Sequence, residues 1–192
     1  VHYRFVLECD DGIWWYTAAG AVDYDPLDTT DFRILGDYDA PDWLQTAVFY
    51  QIFPDRFADG DSSSNPTNTI PWEQSPAPDA DFPTVFYGGD LDGIRQKLPY
   101  LQELGINALY LNPIFTAYSN HKYDVADFMQ IDPHFGGDEA LIALRGALNA
   151  CDMRYILDIV PNHCGYSHHW FQAARASLDA PEAEFFTFHN HP

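Results

Sequence analysis

Apolar residues fall into two kinds of run along this chain, and the two kinds alternate. Ala47 to Phe53, Ile106 to Leu111 and Tyr155 to Val160 are short apolar stretches, each closed by a proline (Pro54, Pro113, Pro161). Their length and composition suit strands buried in a parallel sheet. Between the first two, Ile94, Leu98, Leu101 and Leu104 recur at helical spacing; between the second and third, Leu141, Leu144 and Leu148 do the same. Ser167 to Ser177 reads as a third helix. Strand, helix, strand, helix, strand is the grammar of βα units wound into a parallel sheet or barrel. Pro99 falls inside the first helical pattern, where it lacks a backbone donor and clashes with the preceding turn, so a kink or break is expected there.

The chain opens differently. Tyr3 to Glu8 and Ile13 to Thr17 are rich in aromatic and β-branched residues and are joined by Asp10-Asp11-Gly12, which predicts a β-hairpin. A lone hairpin is marginal in water, so it is expected to belong to a sheet with further strands upstream of Val1. Asp23 to Pro41, acidic and proline-bearing, reads as a linker. A second irregular stretch, from Asp59 to about Tyr87, is crowded with Asp, Ser, Asn and Pro, and a loop of that length inside a domain is usually functional.

Composition narrows the partner. The chain has 29 acidic and 9 basic residues among 192, a net charge of −20. That charge repels nucleic acid phosphates and anionic membranes, so neither is an expected partner. No apolar run approaches the roughly 18 residues of a membrane span. Aromatics make up 16% of the chain, and Trp and Tyr faces suit the C–H faces of sugar rings as well as they pack a core. Cys9, Cys151 and Cys164 are odd in number and far apart, so they are expected to be reduced, buried thiols rather than a disulfide framework or a metal site. A complete barrel usually needs about 250 residues, so only part of one is expected.

Three clusters carry candidate chemistry. Asp158-Ile159-Val160-Pro161-Asn162-His163 sets polar groups at and just past the end of a buried strand, the functional rim of a βα barrel. Asp158 there needs a cation or donor nearby to remain charged, so such a partner is expected. His163 can hydrogen-bond a hydroxyl, and Asn162 can hold a loop or offer its carbonyl oxygen to a metal. Ser119-Asn120-His121-Lys122-Tyr123-Asp124 follows the second strand at a distance that reaches the same rim, and a Tyr can lie flat on a pyranose. Asp59, Asp61, Ser64 and Asn65, with Gly88, Gly89 and Asp90, offer oxygen ligands at the spacing a hard cation such as Ca²⁺ accepts, though without the glycine and closing glutamate of an EF-hand. Each cluster also has a plain reading, as a satisfied or solvated loop.

Together these segments resemble the α-amylase superfamily, glycoside hydrolase family 13, from residue 47 to about 190. Val48 to Phe57 looks like its first barrel strand and exit, Gly88-Gly89-Asp90-Leu91 its lead into the first helix, and Gly105 to Pro113 its second strand. Asn120 to Asp124, running on to Ile131-Asp132-Pro133-His134-Phe135-Gly136, is similar to the loop that follows. Asp158 to His163 resembles the family's first conserved region. The resemblance implies that Tyr123 stacks beneath the sugar where cleavage occurs and that His163 hydrogen-bonds it. It further implies that Asp158 pairs with an arginine near the nucleophile, that Asn162 supports the loop domain after strand three, and that Asp124 braces the site. Asp59, Asp61, Ser64, Asn65, Gly88 and Asp90 resemble the N-terminal calcium site of cyclodextrin-forming members, with Ser64 where Asn is usual and Asp61 replacing a common Asn.

The fold class expected is α/β: about the first three βα units of a (β/α)₈ TIM barrel, preceded by a β-hairpin remnant of an N-terminal β-sandwich. Residues 1–22 would be the tail of that starch-binding-like module, 23–46 a linker, 47–165 the first part of the barrel, and 166–192 the start of the loop domain. The resemblance to the neopullulanase, cyclomaltodextrinase and maltogenic amylase subfamily implies a retaining hydrolase or transglycosylase of α-1,4-glucosidic bonds. Its partner would be an α-glucan oligosaccharide or polysaccharide. The family's nucleophile and acid/base follow strands four and five, so both are expected to lie beyond Pro192 and this chain alone to lack them. The alternative is a barrel that binds glucan without catalysis. Three strands of eight leave an open edge, so further chain or a homo-oligomer is expected.

Overall fold

The computed structural model describes residues 1–36 and 39–189. Pro192, past which the nucleophile and acid/base are expected, lies outside the described residues, as do Asn190 and His191 of the segment read as the start of the loop domain. The chain divides into two compact units, one from Val1 to Thr46 and one beginning at Ala47.

The first unit is mainly β, with two short 3-10 turns at Asp28–Thr30 and Asp42–Thr46. Strands β1 (His2–Tyr3), β2 (Phe5–Cys9), β3 (Gly12–Thr17), β4 (Gly20–Val22) and β5 (Phe32–Arg33) form two antiparallel sheets, β2-β3-β4 and β1-β5. The predicted hairpin is β2-β3. A third strand, β4, joins it from immediately downstream, where Gly20 takes a φ of +111° that turns the chain back at once. The stretch read as a linker also contributes structure: Phe32 pairs with Tyr3, and their rings stack at 5.3 Å. Arg4 gathers Asp25 (2.9 Å), Asp28 and Asp31 (2.6 Å), fixing the acidic turn against the sheet. Among the described residues of this unit only Thr17 and Pro26 are buried.

The second unit has the alternation read from the sequence. β6 (Phe49–Ile52) leads to α1 (Leu91–Gln96) and α2 (Leu98–Glu103), then to β7 (Ala108–Leu111). A hairpin of β8 (Phe115–Ala117) and β9 (Val125–Ile131) follows, then α3 (Gly137–Ala150), β10 (Arg154–Leu157) and α4 (His169–Ala176). β10, β7 and β6 form one parallel sheet in that order, with Ala108 opposite both Phe49 and Arg154. Ile52, Leu109 and Leu111 are buried from the sheet, Leu91, Ile94 and Leu101 from the first helical layer, and Leu144 and Leu148 from α3. The helical pattern breaks at Lys97, and Pro99 lies in the first turn of α2, where a missing N–H costs no intrahelical bond. Leu104, counted in the apolar stripe, is 54% exposed because α2 has already ended at Glu103.

Two buried carboxylates close the long loop at its base. Asp55, before the loop, accepts from Tyr87 N and Gly88 N at its far end (3.1 and 3.2 Å) and pairs with Arg56. Asp90, after the loop, accepts from Gly60 N (3.1 Å), Asp61 N (2.8 Å) and Gly93 N (2.6 Å). The two grips cross, so each carboxylate holds the segment on the opposite side. Burial pushes the pKa of both above the usual carboxylate value, against the lowering by their donors. The cysteines differ from expectation: Cys9 is exposed and Cys151 and Cys164 only half-buried. Cys9 ends a strand whose residues all face solvent, so no core is available to cover it.

Candidate functional site

The site is built where β10 empties. Asp158 N continues the ladder with a bond to Leu111 O (2.9 Å), and the chain then leaves the sheet through Pro161, which cannot extend it. Asp158 is therefore held at the sheet's end. The donor expected beside it is a phenol: Tyr123 Oη donates to Asp158 Oδ2 at 2.6 Å. That bond, with some burial, pushes the Tyr123 pKa up to about 12, and the same carboxylate raises Tyr110 on β7 through a hydrogen bond.

His163 completes the contact. Its Nε2 lies 3.1 Å from Tyr123 O, and its Nδ1 lies 3.4 Å from Asn162 Nδ2. A carbonyl only accepts and an amide NH₂ only donates, so Nε2 carries the proton and Nδ1 is the acceptor. Asp124 braces the loop from below by accepting from Ser119 N (3.2 Å) and Ser119 Oγ. Tyr123 N donates to His121 Nδ1 at 3.1 Å. Gly165 N bonds Val125 O at 2.7 Å, and a side chain on Gly165 would strike the Asp124 carbonyl, so the segment after His163 lies flat on the start of β9. Tyr123, Asp158, Asn162, His163 and Asp124 thus converge, although the first and last lie in the β8–β9 hairpin and the other three past the end of β10.

Sequence reasoning missed the wall beside them. A cleft of about 750 Å³ opens at Asn162 and His163 and is walled by Tyr166, Trp170, Phe171 and Phe186. The signal was the density of aromatics after His163, which reads along the chain only as a helix. Flat apolar faces next to an imidazole and an amide suit a ligand with both C–H faces and hydroxyls.

The proposed metal ligands are only partly brought together. Asn65 Nδ2 donates to Asp59 Oδ2 at 2.8 Å, Asn65 Oδ1 is buried without a partner, and a side chain at Gly88 (φ +80°) would strike the Asn65 amide. Asp59 also contributes to raising Asp90 by charge repulsion. Asp61 instead caps a turn at Ser63 N (3.0 Å), and Ser64 Oγ donates to the carbonyls of Asp61 (3.0 Å) and His134 (3.2 Å). Among the described residues no group of three or more His, Cys, Asp or Glu side chains is arranged to hold a metal.

Residues 51–192 match the family described as Alpha amylase, catalytic domain. The chain belongs to the α-amylase family. It is 43% identical to a cyclomaltodextrinase of Geobacillus thermopakistaniensis over 180 residues, 90% of this chain and 30% of that protein. It is 38% identical to an intracellular maltogenic amylase of Bacillus subtilis, covering 100% of this chain and 34% of the relative. Among solved structures it resembles the cyclic α-maltosyl-(1→6)-maltose hydrolase of Arthrobacter globiformis in complex with cyclic α-maltosyl-(1→6)-maltose. There the TM-score is 0.72 at 43% identity, over 80% of this chain and 35% of that one. The chain spans about a third of the length of these relatives. The similarity to that structure extends the family assignment to the fold, an α-amylase catalytic domain.

Proposed function

We propose that this chain carries the sugar-holding rim of the first three βα units of a retaining α-glucan hydrolase or transglycosylase. Its substrates would be α-1,4-linked: starch, maltodextrin or cyclodextrin. The observation that carries the reading is the convergence of Tyr123 and His163 at the exit of β10, beside an aromatic cleft. The Tyr123 ring lies beneath a glucosyl unit, and one of its hydroxyls replaces the Asn162 amide, 3.4 Å away, as the donor to His163 Nδ1.

Retaining cleavage needs two carboxyl groups about 5–5.5 Å apart across the scissile bond. Asp158 is committed to Tyr123, and Asp124 to the turn below it. In this reading the nucleophile and acid/base come from βα units beyond those described, and Asp158 keeps a second oxygen for an arginine there. Support comes from the sheet itself: β6 and β10 have no outer neighbour among the described residues, and Val48, Phe49, Ile156 and Ile159 are 50, 41, 40 and 61% exposed. Further strands closing the barrel would cover such positions. The β-rich residues 1–46 would precede the barrel as part of a sugar-binding module.

Asp59 and Asn65, beside Gly88, fit a calcium ion in the same reading. The Asn65 oxygen lacks a partner, and a cation would relieve the repulsion between Asp59 and Asp90. Hydrolysis of maltotriose or α-cyclodextrin by the full-length protein, followed by NMR of the first-formed anomer, tests the proposal. Release of the α-anomer is expected; no turnover, or the β-anomer, would overturn it.

A further inference from the structure

Lys122 is buried completely, with Asp132 beside it almost as deep, at 0% and 2% side-chain exposure. A lysine ammonium taken fully out of water must be matched by an anion and by hydrogen bonds, or the fold loses heavily. Here two of its three N–H groups find acceptors at the base of the β8–β9 hairpin, between two aromatic rings. Lys122 Nζ lies 2.7 Å from Asp132 Oδ2 and donates to Ala117 O at 3.1 Å, with the rings of Phe86 and Phe135 at 5.4 and 5.2 Å. Asp132 also accepts from Ala117 N (3.1 Å) and His134 N (2.9 Å). The pair therefore welds the last residue of β8 to the residue just past β9.

The backbone shows what this weld imposes. Lys122 has a φ of +61°, a left-handed conformation that residues other than Gly, Asn and Asp seldom adopt, and that persists only where the surroundings force it. The side chain is pulled down into the hairpin while the chain turns over it. The next residue, Tyr123, is thereby thrown outward, its hydroxyl on Asp158 and its carbonyl on His163.

We propose that the Lys122–Asp132 pair is a positioning device for the Tyr123 ring: it sets the height and tilt of the face on which the sugar lies without touching the sugar. The proposal rests on the reading of Tyr123 as a sugar platform. It adds that the platform is held by a buried charge pair, so an uncharged replacement of equal bulk that folds well still misplaces the ring.

The test is a mutational cycle in the full-length protein, reading the affinity for maltotriose by calorimetry. Lys122→Met leaves Asp132 unpaired, so the working variant is Lys122→Met with Asp132→Asn, which removes both charges and keeps a side-chain oxygen as an acceptor for the backbone N–H groups of Ala117 and His134. Its affinity is compared with that of Tyr123→Ala and of the triple variant, each measured on protein shown to be folded by circular dichroism. Tyr123→Ala is expected to weaken binding roughly two- to twelvefold, the range of a lost aromatic contact. The charge-removed variant should weaken it by a similar factor, and the triple variant no further. Multiplying effects, or full affinity after charge removal, would overturn the inference.

A second readout separates this from failure of the sugar reading. In an alkaline absorbance titration, the tyrosine whose pKa is pushed up to about 12 should ionise earlier once the charge pair is gone, whether or not any sugar binds. An unchanged titration overturns the positioning role. An advanced titration with no effect of Tyr123→Ala on affinity upholds it and overturns the sugar platform instead.

Discussion

Tyr123 Oη donates to Asp158 Oδ2 at 2.6 Å, tying the tip of the β8–β9 hairpin to the exit of β10. The phenol holds its proton more tightly folded than unfolded, with a pKa moved from 10.0 to about 12. Stability from this link is therefore complete below pH 10 and is lost as pH rises from 10 towards 12. Tyr123→Phe should reduce that alkaline fall in the urea midpoint. An unaltered pH profile in the variant would show that the bond contributes nothing.

The crossed carboxylate grips make a second prediction. Asp90→Ala would leave the N–H groups of Gly60, Asp61 and Gly93 without their acceptor, at a cost of about 1–3 kcal/mol that falls mainly on Gly93, the one buried donor of the three. The loop from Asp59 to Tyr87 should then be cut faster by a protease under native conditions. Because burial raises the pKa of both Asp55 and Asp90, protonation at low pH favours the folded state, so these two groups should not drive acid unfolding.

Much of this was legible in the residues themselves. Apolar runs closed by prolines marked the three parallel strands, and Pro99 marked the helix break because its missing N–H has one comfortable place, the first turn of α2. The convergence of Tyr123 and His163 was legible through motif spacing. The β8–β9 hairpin was not, since β8 is only Phe115–Ala117 and its register shifts on both sides of Thr116, leaving no period to read. Lys122 stands in a stretch that reads as a polar loop. Its burial depends on Asp132, and side-chain pairing across a hairpin leaves no periodic trace. Nor could the sequence show that Asp61 and Ser64 would be engaged in a local turn rather than facing Asp59.

Gly165 sits where a side chain would strike the backbone of Asp124 and Val125. Gly165→Ala should force the segment after His163 off β9 and cost about 1–3 kcal/mol. A heteronuclear NMR spectrum should show shifts concentrated at Asp124, Val125 and His163. Shifts spread evenly over the chain would point to general loosening instead.

Calcium binding at Asp59 and Asn65 predicts a thermal midpoint that rises with millimolar CaCl₂ and falls with EDTA. Asn65→Ala should abolish the difference, because it removes the oxygen left without a partner. A calcium response of equal size in that variant would place any bound ion elsewhere.

The account depends most on Tyr123 and His163 holding one sugar between them. Calorimetric titration of the full-length protein with maltotriose, comparing wild type with Tyr123→Ala and His163→Ala, addresses that directly. Each substitution is predicted to weaken binding by about 0.5–1.5 kcal/mol with folding unchanged. Wild-type affinity in both folded variants would contradict the account.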